Sequence, residues 1–206
     1  MDTMKRVIKY DGRSTYSIDI AGLHRELPIV YIGEVVINGS KYKAYIASDA
    51  DLVLGDVEFI STISKEMARL ISPYKPGVIV APESKAVALA YSLSRELGTN
   101  RFVVVRKSVK AYMGGYVKVS VNSITTRETQ YLVLDPNSAN YLRNKDVCLV
   151  DDVVSTGSTM RGMEELMNKV GANIVCRAAI WIEGPWVNDD YVMYLGELPI
   201  FVEGIN

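Results

Sequence analysis

Two adjacent acids followed by a run of hydroxyl side chains are the residues of this chain best suited to chemistry. Asp151 and Asp152 come after the apolar run 147–150, and positions 155–159 are Ser, Thr, Gly, Ser and Thr. Paired carboxylates can accept hydrogen bonds from both hydroxyls of a sugar diol. Hydroxyls, a glycine and the start of a following helix together offer donors and a positive dipole to a phosphate. The stretch therefore predicts a site for a sugar phosphate.

The expected place of the two acids follows from the cost of burying charge. An unpaired carboxylate is very costly inside a sheet that is covered on both faces. Asp151 and Asp152 are therefore expected just beyond the end of the strand 147–150, at the carboxyl edge where α/β sheets bind ligands. The alternative is an ordinary strand–turn–helix in which one side chain caps the helix. A single cap leaves one acid and most of the hydroxyls of 155–159 unexplained.

Positions 147–159 resemble the PRPP-binding motif of the type I phosphoribosyltransferases, where PRPP is 5-phosphoribosyl-1-pyrophosphate. That motif consists of an apolar strand, two acids, two apolar residues and a loop of serine, threonine and glycine, and this chain matches it almost throughout. The resemblance implies that Asp151 and Asp152 are catalytic residues that contact the ribose hydroxyls. It implies that the 5-phosphate is held by Ser155, Thr156, Gly157, Ser158 and Thr159.

Two other segments resemble the part of these enzymes that binds the leaving pyrophosphate. Positions 83–86 lie between a predicted strand and a predicted helix, and Arg106 and Lys107 follow the next predicted strand. Taken alone, they are a helix start and a solvated basic loop. Beside the motif at 147–159, they supply the cations that a departing pyrophosphate requires. The implied pyrophosphate contacts are Glu83, Ser84, Lys85, Ala86, Arg106, Lys107 and Lys110.

A magnesium ion and a mobile lid complete the expected machinery. Mg²⁺ is expected as the cofactor, bound mainly through substrate oxygens and water, because this ion keeps much of its hydration shell. Positions 120–129 follow Gly114 and Gly115 and are rich in Ser, Thr and Asn, which favours a lid that excludes water from the reaction. Adenine enzymes of the family commonly offer a glutamate and an aromatic residue there. Here Glu128 is the only acid and no tyrosine is present, so Glu128 is the candidate catalytic residue of the lid.

The order of segments between 71 and 182 resembles adenine and hypoxanthine phosphoribosyltransferases, particularly archaeal ones. Many 6-oxopurine enzymes place a lysine near the end of the strand that follows the PRPP helix. Here that strand ends at Glu183, which could accept a hydrogen bond from the amino group of adenine. Trp181 or Trp186 could stack on a purine or pack in the core. Val153 is expected to contact the base or the ribose. The resemblance thus implies transfer of the phosphoribosyl group from PRPP to adenine, giving AMP and pyrophosphate.

Two alternative functions stay open at this point. The first is a 6-oxopurine transferase that uses hypoxanthine, guanine or xanthine. Some of those enzymes carry an acid where this chain has Ser155, but the adenine type also lacks it. The second is a PRPP-responsive regulator. Regulators of this fold carry an N-terminal DNA-binding module, whereas the N-terminal segment here has a hairpin pattern and no concentration of basic residues. The enzyme is therefore favoured, and the family resemblance implies a homodimer.

Composition excludes several classes of protein. The 206 residues carry a formal net charge of −1, which gives no general reason to expect nucleic acid as a partner. No apolar run is long enough for a membrane span and no signal peptide is expected at the start. His24 is the only histidine, which argues against a His-rich metal centre or a Ser-His-Asp triad. Cys148 and Cys176 fall in predicted buried strands and are interpreted as separate thiols rather than a disulfide or a metal site. A reduced, cytoplasmic protein is expected.

Strands alternate with helices along most of the chain, which predicts an α/β fold. The expected architecture is a mainly parallel central sheet flanked by helices, the type I phosphoribosyltransferase fold, with a small β-rich hood. Asn38–Gly39 predicts a hairpin between two β-rich runs. The expected division is an N-terminal β-rich segment at 1–48, a PRPP-binding core at 49–182 and a C-terminal β-rich segment at 183–206. The first and last segments are expected to form the hood, which carries the base site in this family.

Overall fold

The computed structural model describes residues 4–121 and 130–204. These residues form twelve strands and five α-helices. They are β1 (Val7–Lys9), β2 (Thr15–Ile20), β3 (Leu23–Ile37), β4 (Ser40–Ala47), α1 (Ala50–Gly55), α2 (Val57–Ile71), β5 (Val78–Pro82), α3 (Ala86–Leu97), β6 (Phe102–Val105), β7 (Val117–Val121), β8 (Gln130–Leu134), α4 (Pro136–Leu142), β9 (Asp146–Val154), α5 (Ser158–Val170), β10 (Asn173–Glu183), β11 (Met193–Leu198) and β12 (Ile200–Val202).

The central sheet has five parallel strands in the order β11-β10-β9-β5-β6. Its middle strands are apolar on both faces because helices cover both faces. Ile79 and Cys148 pack in one cluster with residues of α2 and α3. Their neighbours Val80 and Leu149 pack in a second cluster with residues of α4 and α5. This layered arrangement confirms the predicted α/β fold class.

The two acids lie within β9 and not beyond it, so the predicted end of this strand at 150 is wrong. The parallel partner β10 continues alongside, with Ala179 opposite Asp151 and Ile182 opposite Val154. Backbone pairing with β10 therefore carries β9 four residues further than its apolar run. The ends of these two strands project past the shorter β5, whose pairing with β9 stops at Leu149. The acids consequently stand at the carboxyl edge of the sheet, as expected.

A second sheet, which we call the hood, has the order β1-β12-β4-β3-β2. The predicted hairpin is confirmed: Asn38 and Gly39 connect β3 to β4 with φ angles of 52° and 80°, as a two-residue turn of this kind requires. The C-terminal strand β12 pairs antiparallel with β4. In contrast, β11 joins the central sheet beside β10. The division into segments 1–48, 49–182 and 183–206 stays a prediction, with β11 the part of the last segment that lies in the core sheet.

A two-stranded ribbon, β7 and β8, packs on α5 through Gly162. A Cβ atom at this glycine would come within 2.5 Å of Val121 Cγ2 and 2.9 Å of Leu132 Cδ1, so the ribbon depends on the missing side chain. Alternating apolar residues at 117, 119 and 121 predict a half-exposed strand with which 131–134 could pair, and the antiparallel pairing of β7 and β8 confirms this. Ser120, placed by the sequence in the lid, belongs to β7. The rest of the predicted lid, including Glu128, lies outside the described residues.

The two cysteines form a disulfide, so their interpretation as separate thiols is wrong. Cys148 and Cys176 stand opposite each other on β9 and β10, with Cα atoms 4.6 Å apart. Their spacing in the sequence does not reveal this register, which is why the pairing was missed. Both side chains are buried, as predicted. None of the helices in the described ranges combines the length and apolar character that a membrane span needs.

Candidate active site

Two adjoining cavities open at the carboxyl edge of the central sheet, beneath the hood. The first, of about 460 Å³, contains the phosphate-loop residues 155–159 and an apolar wall from the hood. The second, of about 350 Å³, contains residues 82–86 and Lys107. The cavities share the wall residues Ile46, Asp151, Val153, Ser155, Thr159 and Glu183. A ligand with two separated anionic groups could therefore extend from one cavity into the other across Asp151.

The loop between β9 and α5 is shaped as an anion site. Gly157 has φ +75°, and a Cβ atom there would lie 2.8 Å from Arg161 Nη1 and 2.9 Å from Val187 Cγ1. The Thr156 hydroxyl donates to the Ser158 hydroxyl at 3.1 Å. Arg161 donates to the backbone carbonyl of Thr156. The N-cap residue Gly157 makes no side-chain hydrogen bond to the first turn of α5, and the amide of Ser158 donates to the Thr156 hydroxyl at 3.4 Å. The positive end of the helix dipole is therefore directed at the anion that the loop holds.

Asp151 is a buried carboxyl group that lies next to a second carboxyl group, Asp152. Only 7% of Asp151 is exposed. Burial raises the pKa of Asp151 well above its ordinary value, and the charge of Asp152 raises it further. The backbone amide of Asp152 donates to Asp151 Oδ1 at 2.9 Å, and the charge of Lys107 opposes the rise. Hydroxyl donors or a cation brought by a ligand would relieve this repulsion.

The carboxylate pair fits a magnesium ion that is bound mainly by other oxygens. Mg²⁺ prefers oxygen ligands, which Asp151 and Asp152 offer. Among residues 4–121 and 130–204, no group of three or more His, Cys, Asp or Glu side chains is arranged to hold a metal ion. The pair alone does not fill the six positions of an octahedral ion, so substrate oxygens and water would have to supply the others.

Glu83 joins the loop before α3 to the segment after β6. Its carboxylate accepts from the backbone amide of Lys107 at 2.7 Å and pairs with Arg106 at 3.2 Å. Burial opposes ionisation of Glu83, but these hydrogen bonds prevail and lower its pKa. The Glu83–Ser84 peptide bond is cis. The hydrogen bond between Glu83 and the backbone amide of Lys107 holds Lys107 at the second cavity, where Lys85 supplies another positive charge.

Glu183 is buried at the point where the two cavities meet. It ends β10 and is only 6% exposed. Burial raises the pKa of Glu183 to about 7. A hydrogen bond from Ser155 and the charge of Lys85 lower this pKa, whereas the charge of Asp152 raises it. A carboxyl group of this kind can hold or release a proton near neutral pH.

Comparison with known proteins shows which family this chain belongs to. Residues 58–190, well over half of the chain, match the family model for the phosphoribosyl transferase domain. The chain belongs to this family. Both cavities and the disulfide strands lie largely within the matched region, whereas the hood strands β1 to β4 precede it.

The similar proteins include enzymes and a regulator. Adenine phosphoribosyltransferase of Rhodospirillum rubrum is 29% identical over 132 residues, which are 64% of this chain and 74% of that protein. The purine biosynthesis transcriptional repressor PurR of Bacillus subtilis is 26% identical over 122 residues, which are 59% of this chain but only 42% of the repressor. The crystal structure of adenine phosphoribosyltransferase from Thermoanaerobacter pseudethanolicus has the same fold, with a TM-score of 0.62 at 22% identity, covering 82% of this chain and 95% of that one.

The cavities of this phosphoribosyltransferase bring together most of the residues that the sequence singled out. Arg106 and Lys110 stand apart from the walls of the two cavities: Arg106 is held by Glu83, and Lys110 donates to the Ser108 hydroxyl at 2.7 Å. Their contact with pyrophosphate stays a prediction, as does the role of Glu128, which lies outside the described residues. The predicted residues that line the cavities are Glu83, Ser84, Lys85, Ala86, Lys107, Asp151, Asp152, Val153, Ser155, Thr156, Gly157, Ser158, Thr159 and Glu183.

The sequence left open whether each tryptophan stacks on a purine or packs in the core, and the two tryptophans differ in this respect. Trp181 is only 4% exposed and stacks on Phe59 in the core, with ring centroids 5.6 Å apart, so its placement as a stacking partner for the base is corrected. Trp186 lines the first cavity instead. Its ring lies across Gly184, where a Cβ atom would come within 2.5 Å of the ring. Periodicity could not separate the two tryptophans, because both follow apolar residues.

The apolar wall of the first cavity was not predicted from the sequence. This wall combines hood residues from both ends of the chain with residues beside the phosphate loop, and these come together only in the folded protein. Alternation along β3 was visible in the sequence, but it did not indicate which face meets the core. The wall residues that were not predicted are Ile32, Val35, Ile46, Val154, Met160 and Ile200.

Proposed function

We propose that this phosphoribosyltransferase transfers the 5-phosphoribosyl group of PRPP to adenine and releases AMP and pyrophosphate. The observation that carries the proposal is the pair of adjoining cavities that share Asp151. One cavity ends at the phosphate loop 155–159, and the other ends at Lys85 and Lys107. PRPP has the matching arrangement, a ribose between a monoester phosphate and a pyrophosphate.

Adenine is proposed as the base on two grounds. The relative from R. rubrum carries this name at 29% identity over most of its length. The base end of the first cavity is lined by Trp186, Val35, Ile200 and Glu183, without a lysine to donate to a 6-oxo group. An apolar wall with an aromatic ring and one acceptor suits a purine that carries an amino group.

Each part of the site has a proposed role in this transfer. The hydroxyls and amides of 155–159 hold the 5-phosphate. Asp151 and Asp152 accept from the ribose hydroxyls and offset the positive charge that develops on the ring as pyrophosphate departs. Lys85 and Lys107 stabilise the leaving pyrophosphate. Val153 contacts the base or the ribose.

Magnesium, a dimer and a cellular location belong to the proposal as well. Mg²⁺ bound to substrate oxygens beside Asp151 and Asp152 would neutralise pyrophosphate charge. A homodimer and a cytoplasmic location stay predictions. The location was inferred partly from reduced cysteines, and the Cys148–Cys176 disulfide removes that support.

The paired acids provide the test of the proposal. We expect the Asp151→Asn/Asp152→Asn double variant to lose transfer to adenine by roughly 100-fold or more, because the charge that stabilises the ribosyl cation is gone. The measurement is pyrophosphate release with PRPP, adenine and Mg²⁺, together with a thermal melt. The matched control is Glu96→Gln/Asp190→Asn, two exposed acids that line neither cavity. Full activity of the first variant would contradict the proposal.

A further inference from the structure

We propose that the Glu183 carboxylate is a further catalytic residue, which accepts the proton that adenine must lose and reads its 6-amino group. This inference rests on the proposed function and deepens it. The first cavity has two acids in its wall, Asp151 and Glu183. Both acids lie where the two cavities meet, but Asp151 belongs to the adjacent acid pair that the proposed function assigns to the ribose, so Glu183 is the acid that remains for the base.

The position of Glu183 follows from strand register. Ile182 stands opposite Val154 on the neighbouring strand, so the next residue along each strand brings Glu183 beside Ser155. Both residues line both cavities. Trp186, three residues after Glu183, supplies an aromatic face of the first cavity. A purine stacked on Trp186 would therefore present one of its edges to the Glu183 carboxylate.

The surroundings of Glu183 suit a proton acceptor near neutral pH. Burial raises the pKa of this carboxyl group to about 7, and the neighbouring Ser155 hydroxyl lowers it. Negative charge on Asp152 raises this pKa and positive charge on Lys85 lowers it. The charged and titratable groups that share the second cavity with Glu183 are Glu83, Lys85, Lys107, Asp151 and Asp152.

The chemical step requires an acceptor at this place. N9 of adenine, in its N7–H tautomer, attacks the anomeric carbon while the bond from that carbon to the pyrophosphate oxygen breaks, and pyrophosphate leaves with the electron pair. The purine is left with a positive charge and one proton too many at N7. The Glu183 carboxylate accepts this proton, so that base and side chain both become neutral. Water takes the proton from Glu183 after AMP has left.

The same contact distinguishes amino from oxo purines. In the reacting tautomer of adenine, N7–H and the 6-amino group are two donors on one edge, and a carboxylate offers two acceptors. In hypoxanthine the second donor is replaced by a 6-oxo oxygen, which would face a carboxylate oxygen without a proton between them. A buried acceptor left opposite another acceptor is costly. Glu183 therefore favours adenine in both binding and proton transfer.

The test compares Glu183→Gln with the conservative variant Glu183→Asp and with the exposed helical control Glu96→Gln. We measure kcat and KM for adenine and hypoxanthine from about pH 5.5 to pH 9, and PRPP binding by calorimetry. We expect Glu183→Gln to lose about 100-fold or more in kcat for adenine, with PRPP affinity unchanged. The acidic limb of the wild-type profile should vanish. Glu183→Asp should keep at least about tenfold more kcat than Glu183→Gln, because it retains a carboxylate beside the base.

Two outcomes separate this inference from the function on which it rests. An adenine-specific wild type whose Glu183→Gln variant keeps its kcat within about threefold, or keeps the acidic limb, would overturn the role of Glu183 alone. A wild type that prefers hypoxanthine would overturn the proposed function, and with it the contact to the amino group. Weakened PRPP binding in Glu183→Gln would make the residue structural and would also contradict the inference.

Discussion

Burial sets the chemistry of the site at the scale of single residues. Asp151 and Glu183 are both nearly inaccessible, and burial is the leading cause of the raised pKa of each. The sequence predicted that Asp151 belongs to the site, because two acids after an apolar strand are informative without any tertiary contact. It also marked Glu183 as a possible base contact. The raised pKa of Glu183 was beyond prediction, because it depends on the burial of this side chain in the folded protein and on the nearby Asp152 and Lys85.

Glu183 should lower the stability of the protein at alkaline pH. Its pKa in the folded protein is about 7, raised from an ordinary value of 4.5. Ionisation of Glu183 therefore favours unfolding as pH rises from about 4.5 to 7, and the contribution of this residue to stability is greatest below that range. We expect Glu183→Gln to raise the free energy of unfolding by up to about 3 kcal/mol at pH 8, with little effect at pH 4. Urea unfolding at both pH values measures the difference.

The same experiment contains its own check. Glu96 is an exposed glutamate on α3, and Glu96→Gln should change the free energy of unfolding little at either pH. If Glu183→Gln destabilised the protein equally at both pH values, the side chain would be held by packing or hydrogen bonds rather than strained by its charge.

At the scale of elements, the bounds of a helix or strand were predictable where residues within it or beside it determine where it ends. The sequence pattern predicts a helix at 57–71 and strands at 102–105, 117–121 and 200–202, and these are the bounds of α2, β6, β7 and β12. Helix α4 was missed although Asp135 caps it and Pro136 begins it, because its seven residues are too few for a periodic pattern. The extension of β9 and the sheet membership of β11 depend on neighbouring strands, which no local pattern reveals.

The disulfide between β9 and β10 gives a prediction at this scale. The cross-link closes a segment with a sequence separation of 28, and a loop of this length contributes about 3–4 kcal/mol by restricting the unfolded chain. We expect the oxidised protein to melt roughly 10 °C above the reduced protein. Calorimetry with and without a strong reductant measures this shift.

A variant without the cross-link provides the control for that measurement. Cys148→Ala/Cys176→Ala should melt below the oxidised protein, and reductant should not change its melting temperature. The wild type is treated with reductant while unfolded and is then refolded and melted. A melting temperature that this treatment does not change would show that the two thiols are not joined in solution.

At the scale of the whole molecule, the site exists because a hood of antiparallel strands closes over the carboxyl edge of a parallel sheet. The fold class was predictable because strands alternate with helices, and the phosphate and acid residues were predictable because they lie in one continuous stretch. The base end was not, since its wall combines β3, β4 and β12 with Trp186. Those elements come from both ends of the chain and meet only in the folded protein.

The choice of base is the most direct test of this account. Adenine, hypoxanthine, guanine, xanthine and orotate are each offered with PRPP and Mg²⁺, and kcat/KM is measured by pyrophosphate release. We expect adenine to exceed every other base by about 100-fold or more, because the Glu183 carboxylate and the lack of a lysine in the wall of the first cavity favour an amino group. A higher kcat/KM for hypoxanthine or guanine, or no release with any base, would contradict the account.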